Sequence, residues 1–212
     1  MHARMLQQHD APRGRRLPDA AFTSAPWRIR DLAPDFALED VWELPGESRA
    51  EDFPKVVEML CGMDPTHGGG LAASASKLLW AVRWKLGALL GWDDEGSGIG
   101  ARVDSLERRL PEDLRHSDPP RFASLPFRPL YLTGDEFAAE IANGTMHGVL
   151  HLGAVPSPKV PQNLRRVQMA VLVKPNGLTG KAYMMVIRPF RHLVVYPAMM
   201  REGRRMWERA QA

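Results

Sequence analysis

At 212 residues, with 44% apolar and 25% charged side chains, the chain has the make-up of an ordinary soluble globular protein with room for one substantial core. Its net charge of +3 is small, and its basic clusters, Arg13-Gly-Arg-Arg16 and Arg201-Glu-Gly-Arg-Arg205, are short and lie near opposite ends, which excludes the basic face that nucleic acid requires. The single cysteine, Cys61, excludes an intramolecular disulfide; the start has no apolar signal core, and the longest apolar stretch is broken by Lys77, Arg83 and Lys85, so no membrane partner is expected and the chain reads as cytoplasmic.

Residues 1–34 are rich in Pro, Arg, Ala and Asp without periodicity and read as a poorly ordered tail, leaving 35–212 as a single domain. Asp35 to Leu44 alternates as a first strand and stops at Pro45-Gly46. Ser48 with Glu51 makes a capping-box pattern that predicts a helix over 49–60, burying Phe53, Val56, Val57 and Leu60. His67-Gly-Gly-Gly70 links it to a second helix over 71–90, with Leu71, Leu78, Val82, Leu86 and Leu89 on one face. Residues 93–125 read as a long loop with a short helix near 105–109. Strands follow at 127–132, in a hairpin, at 166–173 and at 181–187. The final helix begins at Pro189, carries Leu193, Pro197, Met200, Arg204 and Trp207 on one stripe, and should kink at Pro197.

The hairpin, residues 135–155, centres on Asn143-Gly144, the favoured pair for a two-residue type I′ turn. That turn would set Ile141 opposite Met146, Ala139 opposite Gly148 and Phe137 opposite Leu150 on an apolar face. The other face would pair Glu140 with His147 and Glu136 with His151. On a strand, His147 and His151 are about 13 Å apart at about 3.3 Å per residue, too far for one metal ion, so no metal is expected. A carboxylate beside an imidazole is the arrangement of a general base, which makes Glu140 and His147 catalytic candidates together with His192. Burial preference favours the plainer reading, a solvated pair on the outer sheet face.

Cys61 reads as a small core residue. No complete phosphate-loop, dinucleotide or esterase motif is present, and no cofactor is expected.

The order of strand, two helices, antiparallel strands and a long last helix resembles the α+β helix-grip fold of the Bet v 1/START-like superfamily, a curved antiparallel sheet wrapped around a C-terminal helix. More specifically, EIANGTMHGVLHLG (140–153) and GLTGKAYMMVIRPFRHLVV (177–195) resemble the bacterial family called domain of unknown function 2867. One departure is Phe190-Arg191-His192, where that pattern reads Phe-His-Arg. The resemblance implies the fold and carries no activity. It leaves three expectations: a module binding a small apolar molecule between sheet and last helix, lined by Phe137, Ile141, Met146, Leu150, Met169, Met184 and Met200; a cyclase- or hydrolase-like enzyme in the same cavity; or a non-catalytic domain docking on a reductase-like partner. The sequence assigns no oligomeric state.

Overall fold

The computed structural model describes residues 14–62, 98–156 and 163–210. Among them seven strands form one curved, open antiparallel sheet. These are β1 (Arg15–Arg16), β2 (Ala37–Glu43), β3 (Ser48–Arg49), β4 (Arg128–Leu132), β5 (Glu136–Ala142), β6 (Met146–Pro156) and β7 (Leu164–Pro175). The order across the sheet is β1-β2-β7-β6-β5-β4, with β3 also paired to β7. Pro129 is tolerated because β4 is an edge strand, beside a register shift.

The β5–β6 hairpin forms, but not through a type I′ turn. Neither Asn143 nor Gly144 takes positive φ. Asn143 Oδ1 instead accepts from the Thr145 amide at 2.8 Å, the Met146 amide at 3.2 Å and the Thr145 hydroxyl at 2.7 Å. This side-chain cap satisfies the turn without left-handed backbone. Pairing then begins at Ala142 with His147, and Glu140 faces Val149, a register two residues away from the expected one. Because strand side chains alternate with period two, a shift of two leaves each of them on its expected face. The Glu-His pairs therefore survive as diagonal neighbours.

Neither face of the hairpin is solvated. One face of the sheet, carrying Val41, Ala138, Val149, Ala170 and Leu172, is covered by two short helices, α1 (Ala20–Thr23) and α2 (Arg28–Leu32), through buried Phe22, Trp27, Ile29 and Leu32. Beside them lie a 3₁₀ turn (Leu106–Arg109) and α4 (Glu112–Arg115), which bury Leu106, Leu110 and Leu114. Residues 14–33, expected within a disordered tail, thus supply core. A lack of periodicity hid them, because helices of four and five residues are too short to show any. The expected outer-face reading of Glu140-His147 is overturned for the same reason: Glu140 is 0% and His147 4% exposed.

The opposite face, with Trp42, Phe137, Leu152, Val167 and Met169, packs against α3 (Phe53–Cys61) and the C-terminal helix through Phe53, Val57, Cys61, Tyr196 and Met200. The expected capping box does not form. Ser48 belongs to β3, a 3₁₀ turn (Ala50–Asp52) follows, and α3 starts with Pro54 in its first turn. The predicted strand over 181–187 is instead helix α5 (Gly177–Phe190), which runs through Pro189. The clustered Met, Val and Ile had suggested sheet, but Gly180 and Met184, four apart, are the buried pair, and that is helical spacing. A π-helical turn (Arg191–Val195) joins α5 to α6 (Tyr196–Ala210). The irregular turn falls between Pro189 and Pro197, each of which lacks an N–H for the regular ladder. The helix expected over 71–90 lies outside the described residues.

Candidate functional site

Three polar clusters are built on the sheet. In the first, the Glu136 carboxylate accepts from the backbone amides of Arg28 at 2.9 Å and Ile29 at 3.0 Å, from the Tyr131 hydroxyl at 2.6 Å and from His151 Nε2 at 3.1 Å. It sits at the N-terminus of α2, where free amides favour an anion. Burial works against its charge, and the bonds from His151, Tyr131 and the Arg28 amide outweigh it, holding the carboxyl below its ordinary value. His151 is wholly buried, between Phe22 and Trp27, with ring centroids 5.2 and 5.0 Å away. Desolvation lowers its pKa, so it is a neutral imidazole that donates from Nε2 and leaves Nδ1 without a partner.

The second cluster repeats the design. Glu140 accepts from Ser105 Oγ at 2.5 Å, the Leu106 amide at 3.0 Å and His147 Nε2 at 2.9 Å, again at the start of a helical turn. Burial opposes its charge, and the three donors overcome it and lower its pKa. His147 lies edge-on to Phe36 at 4.9 Å. In both clusters a strand carboxylate ties a short helical segment to the sheet. Each carboxylate is buried and bonded to every one of these donors, so each pair fastens a helical segment to the sheet.

The third cluster lies on the opposite face. Asp40, 0% exposed, accepts from Arg191 Nη2 at 2.7 Å and from the Tyr196 hydroxyl at 2.9 Å. The Tyr196 hydroxyl in turn accepts from Arg191, whose guanidinium lies 5.5 Å from the ring centroid. His192 Nε2 comes within 2.7 Å of Asp40 Oδ1, yet out of line for a hydrogen bond, so neither atom has a hydrogen-bond partner. Trp42 Nε1 nearby is also unpartnered, its ring 6.2 Å from His192. Burial raises the Tyr196 pKa and keeps the hydroxyl protonated. Arg191 and His192 reach Asp40 because the π turn presents both toward β2. The sequence reading named His192 and missed Asp40, Arg191 and Tyr196; the signal available was a carboxylate at 40 on the same strand face as Trp42.

Next to this cluster along α6 is an apolar cavity of about 160 Å³. Leu150, Leu152, Val167 and Met169 form its floor, Val56, Met59 and Leu60 one wall, and Met199 and Gly203 of α6 another. Of the residues expected to line such a cavity, Leu150 and Met169 do so. Phe137 lies buried in the same core, 6.1 Å from Phe122, and Met200 packs beside it. Ile141 and Met146 cluster about Gly148, and Met184 is buried under α5; none of the three reaches the cavity. Met199 takes the place expected of Met200 because the π turn resets the phase of the helix. Glu140 and His147 lie on the other sheet face, so they do not converge with His192 on one pocket. Cys61 is buried in this core, which pushes its thiol up to about 11.

An antiparallel sheet buried on both faces, with carboxylate-fastened helical turns on one and an apolar cavity on the other, defines an α+β class of domain. The chain belongs to the family described as protein of unknown function (DUF2867), whose model matches residues 32–198. No curated protein and no solved structure matches it. Among the described residues no helix is long and apolar enough to cross a membrane, and no three His, Cys, Asp or Glu gather as metal ligands.

Proposed function

We propose that the protein binds a small apolar molecule in the cavity between the sheet, α3 and α6. The observation that carries this is the lining: eleven side chains there are Leu, Val, Met or Phe, and the partly exposed Met59, Phe122, Leu125 and Met199 form its rim. An apolar cavity of about 150 Å³ accepts a benzene-sized guest, so the expected ligand is a single aromatic ring or a short branched chain. The packing of Tyr196 and Met200 over Trp42 and Met169 supports the helix-grip reading of the architecture, in which the last helix closes such a site. Thermal-shift measurements with one-ring aromatics and short branched alcohols test the proposal. A ligand at a hundred times its Kd raises stability by about 2.7 kcal/mol, and Val167→Phe, which fills the cavity, removes that gain. No shift from any compound of this size would overturn the reading.

A second reading, an enzyme of the cyclase or hydrolase kind, draws on a different observation: His192 is one-fifth exposed beside the fully buried Asp40. His192→Asn leaves binding in the apolar cavity intact and would abolish any turnover.

A further inference from the structure

Helix α5 is amphipathic in the wrong direction for a helix that only serves a core. Its buried residues, Gly180 and Met184, face the domain, and Asn176 fixes its start to the hairpin turn by bonds to Thr145 O at 2.8 Å and Asn143 O at 2.9 Å. The opposite side is apolar and presented to solvent: Leu178 is 83% exposed, Met185 76%, Val186 76% and, within the π turn that follows, Leu193 77%. Ala182 and Pro189 are also exposed. At 100° per residue these six positions fall on one ridge, about 22 Å long at about 1.5 Å per residue. Soluble proteins scatter such side chains; a contiguous exposed row marks a contact surface.

The charge along the ridge indicates its partner. From Gly177 to Met200 there is no Asp or Glu. Lys181 and Arg188, seven apart, run along one flank of the ridge, both exposed and neither in an ion pair among the described residues. A second copy of the same helix would bring like charges together. A convex ridge also offers no groove into which a folded partner could key. An apolar stripe with cations beside it and no anions is the pattern of a helix lying in the interface of an anionic bilayer. The absence of a spanning segment does not bear on this, since such a helix lies in the surface. We propose that this ridge docks the protein on an anionic phospholipid surface, with Leu178, Met185, Val186 and Leu193 entering the acyl boundary and Lys181 and Arg188 meeting the headgroup phosphates. The cavity reading is separate and neither requires nor predicts this contact.

The test is vesicle co-sedimentation of the full chain, using phosphatidylcholine alone and phosphatidylcholine mixed with phosphatidylglycerol. The protein should pellet with the mixed vesicles and release as salt is raised. Lys181→Gln with Arg188→Gln should weaken partitioning about fivefold per charge, about 1 kcal/mol each. Leu178→Gln with Met185→Gln and Leu193→Gln should abolish it, while circular dichroism and melting stay as in the parent, because all three side chains are exposed. Equal binding by parent and variants, binding indifferent to the anionic lipid, or no binding at all would overturn the proposal. So would a dimer that the triple Gln variant dissociates, since the ridge would then belong to a second copy.

Discussion

Glu136 holds four donors from three elements, and its loss would leave two amides, a hydroxyl and an imidazole N–H buried without acceptors. Glu136→Ala should therefore destabilise the fold by about 3–5 kcal/mol in urea unfolding, well above the median for a point substitution. Gly153 is constrained by contact rather than by backbone conformation: a Cβ there would stand 2.5 Å from Trp27 Cη2 and 2.7 Å from Cζ2. Gly153→Ala should cost about 1–3 kcal/mol, because an indole ring packed against the wholly buried His151 can move only by unpacking its neighbours. Near-ultraviolet circular dichroism would show the displaced Trp27 directly.

At the scale of elements, the two strand carboxylates and their histidines fasten one layer of the molecule, and this gives stability a direction in pH. His151 is depressed in the folded state, so the unfolded chain binds its proton first, and stability falls as pH drops below the ordinary imidazole value of 6.5. Glu136 and Glu140 are also depressed; their contribution is present above the ordinary carboxyl value of 4.5 and is lost as pH falls further. The urea midpoint should be level from neutrality to about pH 8, where the raised Cys61 thiol and Tyr196 hydroxyl do not yet ionise in the unfolded chain, and decline in two stages on acidification. His151→Gln, which still donates to Glu136 but does not titrate, should remove the upper stage. The hairpin that carries these pairs was legible in the sequence as to faces, because parity survives a shift of two. Its turn was not, because the Asn143 side chain replaces the left-handed backbone that Asn-Gly usually signals. The strand predicted over 181–187 failed for a related reason: Met, Val and Ile suit either period, and only the anchoring of Asn176 and the tight seat of Gly180 under Thr145 select the helix. The cavity was half legible. Leu150 and Met169 follow from strand alternation, whereas Met199 depends on a π turn that no local pattern announces.

For the whole molecule, the sheet is a shared floor between two cores, and the N-terminal residues roof one of them. Removing residues 1–33 should expose Val41, Val149 and Leu172 together with the Glu136-His151 pair, giving an aggregating chain without a cooperative calorimetric transition, where a dispensable tail would leave melting unchanged. The turn between α5 and α6 has another consequence. A π turn is an α-helix holding one surplus residue, so deleting a single residue such as the exposed Leu193 can restore the regular ladder while keeping Met199 and Met200 in phase with the sheet. Arg191 and His192 would then lose their approach to Asp40. One codon thus separates the helix that closes the cavity from the ionic latch beside it, and the two become independently editable.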